Sequence, residues 1–286
     1  MASLLALISA VAYGAADFLG GFAARRATTV GAVVVSQAAG LAALALVMPL
    51  LPAAHMHAAD AAWGAAAGVA GSVGVALLYH GLAVGPMSIV APVTAVCAVL
   101  LPVAAGLLLG ERLSATSAAG IALAVAAVAL LGQDSHHEDG SRGALALVRS
   151  RGFRLAVLSG VAIGCFLVAL ERTSAEAGMW PLAVSRSVST LLFGGFALAT
   201  GRAAAVPRPA LAPALACGGL DMVANALYLV AVRQGQLSLV ATLASLYPAS
   251  TVLLARVVLG ERLSRVQIAG VACAIVAVVL IVGGSE

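Results

Sequence analysis

Ten apolar blocks of about 20 residues follow one another along the chain, separated by short polar stretches. An α-helix needs about 20 apolar residues to cross the hydrocarbon core of a bilayer. Because 63% of the residues are hydrophobic and only 9% are charged, the chain cannot build the water-facing surface of a soluble domain. We predict an all-α integral membrane protein with ten transmembrane helices. The blocks are Ser3–Phe22, Thr28–Leu50, Asp60–Ala83, Met87–Leu109, Ala115–Gly132, Phe153–Leu170, Ala177–Thr200, Ala210–Val232, Gln236–Leu259 and Arg265–Gly283.

The second half of the chain repeats the first at an offset of 150 residues. From Gly85 to Leu130, 18 of 46 positions are identical to the residue 150 places later, and the register needs no gap. The segment ALISAVAYG at 6–14 aligns in the same register with AVLSGVAIG at 156–164. An internal repeat of this kind determines the fold class. We predict a first repeat over 1–132, a polar linker over 133–152 and a second repeat over 153–286.

Each repeat holds five predicted spans, an odd number, so the second copy must enter the membrane from the opposite side. Inverted repeats are typical of secondary transporters, which bind their substrate near the bilayer midplane at the interface between the repeats. We therefore predict two inverted five-helix repeats around a central cavity. The expected function is transport of a small solute by alternating access.

The string LGERLS stands at 109–114 and again at 259–264, where one apolar block ends and the next begins. Glycine suits the left-handed conformation just past a helix end. Serine caps the first turn of a following helix. We interpret the string as a helix stop, a tight interfacial turn and a helix start. A direct chemical role for Glu111 or Glu261 is the alternative.

Two longer segments that contain this string resemble the closing part of an EamA repeat, from the drug/metabolite transporter (DMT) superfamily. They are APVTAVCAVLLPVAAGLLLGERLSATSAAGIALAVAAVAL at 91–130 and ATLASLYPASTVLLARVVLGERLSRVQIAGVACAIVAVVL at 241–280. The resemblance implies a ten-helix bundle around a central cavity. It further implies transport of small metabolites or drugs, often as efflux and commonly coupled to protons or exchange. Its pattern consists of structural glycines, Pro92 and the turn, so it transfers no binding residue.

Polar residues inside a span that do not recur in the other repeat need a reason beyond the common fold. An ionised residue at mid-span costs roughly 2.5–3.5 kcal/mol on insertion scales. Such residues usually face a cavity or pair with one another. The residues that the duplication leaves unpaired are Asp17 against Leu167, Arg186 against Ser36, Asp221 against Gly71, Asn225 against Val75 and Tyr228 against Leu78.

The spacing of several polar residues places them on shared helix faces. Tyr13 and Asp17 are four residues apart, so they lie on one face of span 1. Asp221, Asn225 and Tyr228 follow at intervals of four and three, so they lie on one face of span 8. We predict that these two polar stripes bind a substrate or an ion in the central cavity.

The charged candidates, which include Arg186, support two interpretations. A buried aspartate exchanges a proton if burial favours its neutral form, and transport is then coupled to protons. An ion pair between Arg186 and Asp221 would favour the ionised form instead. In that case the pair serves only to fix helix packing, since structural pairs are perturbed by burial as well.

Prolines lie in both members of one related pair of spans. Pro92 and Pro102 lie in span 4, and Pro248 lies in span 9. Each removes a helical hydrogen bond. In a membrane such breaks persist where neighbours or cavity water satisfy the freed carbonyl. We take Pro92 and Pro248 as hinge candidates, with packing kinks as the alternative, and Tyr247 as a further cavity candidate.

Several function classes lack their usual sequence features. There is no cluster of catalytic residues, no GxxxxGK[ST] pattern and no lysine, so we expect neither an enzyme nor an ATPase. The histidines in HMH at 55–57 and HHED at 136–139 fall in polar breaks, and no CxxC occurs, so we expect no metal and no cofactor. No basic face suits nucleic acid. A lipid-linked-sugar flippase, a cationic drug exporter and a non-transporting membrane protein stay open, as does a homodimer.

The arginines are distributed unevenly between the two sides of the predicted bundle. The breaks after spans 1, 5, 7 and 9, counted with the first two residues of the spans that follow them, hold ten, and the breaks on the other side hold three. The positive-inside rule then places both termini outside the cytoplasm. We expect the protein in the cell (cytoplasmic) membrane, in contact with lipid.

Overall fold

The computed structural model describes residues 1–52, 54–85, 87–131, 151–200, 206–259 and 264–284, and within these ranges the regular structure is helical. A short 3₁₀ turn, Met48–Leu50, follows α2, and a second one, Ala175–Ala177, precedes α7. The α-helices are α1 Ala2–Arg26, α2 Thr29–Val47, α3 Ala58–Val84, α4 Met87–Leu108, α5 Ala115–Leu131, α6 Arg151–Glu171, α7 Trp180–Ala199, α8 Arg208–Val232, α9 Leu237–Ala244, α10 Tyr247–Leu259 and α11 Arg265–Gly283.

Eight helical segments of the described chain are long and apolar enough to cross a membrane. They are α1, α2 with its 3₁₀ turn, α3, α4, α6, α7, α8, and α9 together with α10. α5 and α11 carry shorter apolar stretches, Ala115–Leu130 and Ile268–Gly283. The predicted all-α membrane fold is therefore confirmed, and eight of the ten predicted blocks reach spanning length.

The first LGERLS string forms the predicted turn. Gly110 has a φ of +91°, a left-handed conformation that favours glycine and ends α4. The Ser114 hydroxyl accepts a hydrogen bond from the Ser117 N–H at 3.1 Å and so caps α5. The middle of the second string, residues 260–263, lies outside the described residues, as do residues 132–150 of the predicted linker. α6 begins at Arg151, two residues before the predicted second repeat.

The two copies run in opposite directions. α5 and α11 occupy equivalent positions at an offset of 150 residues, and they pack directly against each other. Ser114, at the start of α5, donates a hydrogen bond to the carbonyl of Gly284, just past the end of α11, at 2.9 Å. One and a half turns further along α5, Gly120 lies against Ile281. Equivalent helices are therefore antiparallel, as inverted repeats require.

A pair of buried hydrogen bonds follows the same symmetry. Ser9 of α1 donates to the carbonyl of Ala224 in α8 at 2.8 Å. Ser159 of α6 donates to the carbonyl of Gly74 in α3, also at 2.8 Å. Both donors and both acceptors are related by the 150-residue offset, and both serines have no exposed surface. α1 packs on α8 and α6 on α3 in the same way, and these four helices surround the centre of the bundle.

Hydrogen bonds between the repeats close one side of the bundle, which we call the terminal face. It carries the N-terminus, the end of α11 and the connections at 54–57, 109–114, 172–179 and 233–236. The Asp60 carboxylate at the start of α3 accepts from the Ser174 N–H at 2.7 Å and from its hydroxyl at 3.0 Å. Within the second repeat, Arg233 donates to the carbonyls of Gly178 at 2.8 Å and Ser174 at 2.7 Å, which holds Ser174 in place opposite Asp60.

Glu111 adds a second connection on the terminal face. Its carboxylate oxygens accept from the backbone N–H groups of Leu237 at 2.5 Å and Ser238 at 3.1 Å, in the first turn of α9. These N–H groups have no partner inside the helix, and the helix dipole favours a negative charge there. Glu111, in the turn of the first repeat, therefore caps a helix of the second repeat.

Candidate functional site

A central cavity lies between the two repeats at mid-depth of the bundle. It has an empty volume of about 790 Å³, which includes the part that opens to its surroundings. Residues of α1, α2, α3, α4, α6, α7, α8, α9 and α10 line it. The cavity thus receives side chains from both copies, as the inverted-repeat architecture predicts.

A buried ion pair lies on one wall of the cavity. Arg186 of α7 donates a hydrogen bond to the Asp221 carboxylate of α8 and pairs with its charge. The same guanidinium also donates to the side-chain oxygen of Gln37 in α2. Three helices are therefore joined at one cation, and the positive charge of Arg186 is already balanced. The sequence interpretation that pairs Arg186 with Asp221 matches this geometry.

Tyr13 and Asn225 form a second polar contact beside the ion pair. The Tyr13 hydroxyl donates to the side-chain oxygen of Asn225 at 2.8 Å, which connects α1 to α8. The Asn225 amide donates to the backbone carbonyl of Asp221 one turn earlier at 2.6 Å. Asn225 is therefore oriented by its own helix. The predicted stripes on span 1 and span 8 meet at this point.

Asp17 differs from the other charged residues of the cavity. It lines the cavity from α1, one turn beyond Tyr13. Within the part of the chain that the structure describes, its carboxylate has neither a hydrogen-bond donor nor a cation as partner. An unpaired carboxylate inside a membrane is costly, so such a residue is a functional candidate.

Three of the four tyrosines of the chain line the cavity. The rings of Tyr13 and Tyr247 meet edge to face, with their centroids 6.5 Å apart. The Tyr247 hydroxyl donates to the Ala91 carbonyl at 3.4 Å, and the Tyr79 hydroxyl lies 2.9 Å from the Cys217 sulfur. Because the three hydroxyls have protein partners, these residues present aromatic rings to the cavity.

The cavity is polar on one side and apolar on the other, although the fold around it is symmetric. Tyr13, Asp17, Asp221 and Asn225 supply the polar side. The positions related to them by the 150-residue offset also line the cavity, and they are apolar or glycine. These are Ile163, Leu167, Gly71 and Val75. The two copies therefore differ in chemical character at the cavity itself.

Most of the binding candidates chosen from the sequence meet in this cavity. Tyr13, Asp17, Arg186, Asp221, Asn225 and Tyr247 all line it. Tyr228 does not. It lies nearly two turns beyond Asp221 on α8, where it has no exposed surface and its hydroxyl donates to the Leu167 carbonyl at 3.4 Å. Its surroundings are those of a packing residue between α8 and α6.

The two hinge candidates lie in different settings. Pro248 follows a break, because α9 ends at Ala244 and α10 begins at Tyr247. Pro92 lies within α4, which runs from Met87 to Leu108 without interruption, as does Pro102. The helix is therefore interrupted beside Pro248 in span 9 but continuous through Pro92 in span 4.

Further polar residues of the cavity were not singled out in the sequence. Gln37 and Tyr79 stand against Ser187 and Leu229 at the 150-residue offset, so the same comparison of repeats would have found them. Ser189 of α7 also lines the cavity, and its hydroxyl is buried without a hydrogen-bond partner among the described atoms. The candidate site thus holds more hydrogen-bonding groups than the predicted stripes.

No group of three or more metal-binding side chains occurs among the described residues. His57, from the HMH segment, lies at the start of α3, where its backbone N–H donates to Asp60 at 2.9 Å. The HHED segment at 136–139 lies outside the described residues.

Comparisons with known proteins agree with this architecture. The model of the EamA-like transporter family matches residues 1–133 and 150–283, one match in each half. Nineteen chains of solved structures match the fold. One of them, titled only "Crystal structure of protein", has a TM-score of 0.67 and 17% identity over 99% of this chain and 97% of its own. No curated protein matches at a significant level. Because the family model covers both halves, the chain belongs to the EamA-like transporter family of the drug/metabolite transporter superfamily.

Proposed function

We propose that this protein exports a small organic solute across the cell membrane by alternating access, with a proton as the coupling ion. The observation that carries the proposal is the charged cavity between two inverted repeats. Two oppositely oriented copies can exchange conformations, and that exchange exposes a shared site to each side in turn. The inter-repeat hydrogen bonds of Asp60 and Glu111 on the terminal face are contacts that such an exchange must break.

Coupling to protons is assigned to the carboxylates of the cavity. Asp17 and Asp221 are the carboxylic acids that line it in the described chain. Asp17 has no cation partner, so it is the acid that is free to take up and release a proton. Asp221 holds Arg186 in place, and opening that pair would release a second carboxylate. Intramembrane acids of this kind are typical of proton-coupled pumps and transporters.

The test is a flux assay with the full-length protein in liposomes, across a panel of amino acids, amines, organic acids and sugars, with and without a pH gradient. We expect one class of solute to move, and to move faster when the gradient is imposed. Asp17→Asn should remove the effect of the gradient. Glu176→Gln makes the same chemical change on an exposed connection and should behave as the unaltered protein.

Two results would contradict the proposal. If gradient-driven flux persists in both Asp17→Asn and Asp221→Asn, the proton coupling is wrong. If no soluble solute moves, transport of small solutes is wrong, and assays with lipid-linked sugars then address the flippase alternative.

A further inference from the structure

We propose that the substrate of the cavity is an amphipathic organic monocation, such as a protonated arylalkylamine or a quaternary ammonium compound. Its positive charge would pair with Asp17, and its apolar body would lie against α3 and α6. This inference rests on the transport function proposed above and adds the substrate class.

The charged side chains that line the cavity do not balance one another. Asp17, Arg186 and Asp221 are the charged side chains that line it in the described part of the chain. Arg186 and Asp221 are bonded to each other, which leaves one carboxylate, that of Asp17, without a counter-charge. Burying an unpaired charge is costly, and a bound cation supplies the missing partner. An anion would add a like charge, and the carboxylate of a zwitterion would find no unpaired cation.

One side of the cavity is apolar and suits the hydrocarbon or aromatic body of a ligand. Ile163, Leu167 and Val75 occupy the positions that correspond to Tyr13, Asp17 and Asn225 in the other copy, and Phe166 lies beside them. A small polar cation would leave this surface in contact with water. A ligand with a charged end and a hydrocarbon or aromatic body matches both sides at once.

The tyrosine rings and the Ser189 hydroxyl offer further contacts to a bound cation. The rings of Tyr13, Tyr79 and Tyr247 line the cavity while their hydroxyls are engaged with protein atoms. Aromatic faces attract cations, and the attraction increases when both are removed from water. The Ser189 side chain is 4% exposed, and its oxygen has no partner among the described atoms, so it can accept a hydrogen bond from an ammonium group that carries an N–H. A quaternary ammonium has no N–H and would be held by Asp17 and the tyrosine rings alone.

A proton and a monocation are alternative partners for the same carboxylate. The titratable and charged groups around Asp17 come from α1, α3, α7, α8 and α10. They are Tyr13 of α1, Tyr79 of α3, Arg186 of α7, Cys217 and Asp221 of α8, and Tyr247 of α10. Arg186 is committed to Asp221, so it does not replace the substrate as the partner of Asp17. Binding of the cation should therefore weaken as the pH falls.

The experiment compares three probes that share one benzene ring and differ in charge. They are benzyltrimethylammonium, the zwitterion phenylalanine and the anion phenylacetate. Binding to the purified full-length protein is measured by calorimetry at pH 8 and at pH 6. We expect benzyltrimethylammonium to bind more tightly than either of the others by about tenfold or more at pH 8, and less tightly at pH 6.

Two variants and one control identify the carboxylate. Asp17→Asn should lose the preference for the cation and its pH dependence, whereas Asp17→Glu should keep both because it keeps the carboxylate. Glu176→Gln, on an exposed connection, should match the unaltered protein. Elution as a single species in gel filtration shows that each variant is folded. Retention of cation binding by Asp17→Asn would overturn the assignment.

The flux panel distinguishes failure of the proposed substrate class from failure of the proposed transport function. Tighter binding of phenylalanine or phenylacetate, together with flux of a zwitterion or an anion, overturns the substrate class and leaves the transporter in place. Absence of flux for every solute overturns the transport function itself.

Discussion

The two aspartates of the cavity have different surroundings, because among the described residues only one of them has a counter-charge. Asp221 is joined to Arg186, and the pair is held further by Gln37. Asp17 faces the cavity without a partner in the described chain. Breaking a buried ion pair leaves an uncompensated charge and costs roughly 3–5 kcal/mol. Neutralising an acid that has no partner carries no such penalty.

The first prediction is that Asp221→Asn destabilises the protein far more than Asp17→Asn. The loss in the first case should approach the cost of an unpaired buried Arg186, whereas the second change should be neutral or stabilising. Thermal unfolding of the purified variants in detergent measures the difference. The double variant Arg186→Gln/Asp221→Asn removes both charges and should recover part of the loss. Equal melting temperatures for the two single variants would contradict the assignment.

Comparing each residue with its partner 150 places away selects five polar residues inside the spans. Asp17, Arg186, Asp221 and Asn225 line the cavity, and Tyr228 does not. The contacts among them could not be predicted, because they join helices that are far apart in the chain. The packing role of Tyr228 could not be predicted either. The spacing of residues identifies a shared helix face, but not which neighbouring helix covers each turn of that face.

Among the helices, the break between α9 and α10 is the feature that one copy has and the other lacks. Proline has no N–H, so Pro248 cannot donate to the carbonyl of Ala244, which lines the cavity. Ala98 occupies the equivalent position in α4, and that helix is continuous. A break beside a cavity is a place where a helix can bend during an exchange of conformations.

The second prediction concerns this break. Pro248→Ala should allow α9 and α10 to join into one helix, which would leave substrate binding in place and slow transport severalfold. Initial flux rates and binding affinities, measured on the same preparation, separate the two effects. Pro102→Ala, in the unbroken α4, is the matched control and should change the rate little. An equal loss of rate in both variants would exclude a special role for the break.

The third prediction concerns the cap on α9. Glu111→Ala removes both acceptors of the Leu237 and Ser238 N–H groups, and loss of such a cap costs about 0.5–2 kcal/mol. Hydrogen exchange at these two amides should accelerate, while the amides of α8 serve as an internal reference. Unchanged exchange at Leu237 and Ser238 would contradict the capping role.

The sequence of the LGERLS turn predicts its local contacts but not its contact with the other repeat. The stop at Gly110 and the cap at Ser114 follow from local rules and are confirmed. The bond from Glu111 to α9 is not local, because it joins the two repeats across more than a hundred residues. Its existence depends on how the copies pack, which the string itself does not contain.

For the whole molecule, the duplication predicted the architecture. An odd number of spans in each copy requires inversion, and the antiparallel contact of α5 with α11 bears this out. The matched bonds of Ser9 and Ser159 show that the symmetry extends to individual hydrogen bonds. Composition alone predicted the membrane class. It did not predict that the apolar stretches of α5 and α11 are shorter than those of the other spans.

The fourth prediction places the terminal face outside the cytoplasm. Arginines are fewer on this face, and the positive-inside rule assigns the richer side to the cytoplasm. In a background without native cysteines, Glu176→Cys on the terminal face should react with an impermeant maleimide in intact cells. Arg208→Cys, at the start of α8 on the opposite face, should react only after permeabilisation. The reverse pattern would invert the orientation.

In the proposed exchange of a proton for a monocation, the carboxylate of Asp17 would also determine how much electric charge moves in one turnover. An acid that releases one monocation and takes up one proton in exchange returns with the same charge that it carried outward. Each cycle would then be electroneutral, with a stoichiometry of one to one. Such a carrier responds to a difference in acidity across the membrane and is indifferent to the membrane voltage.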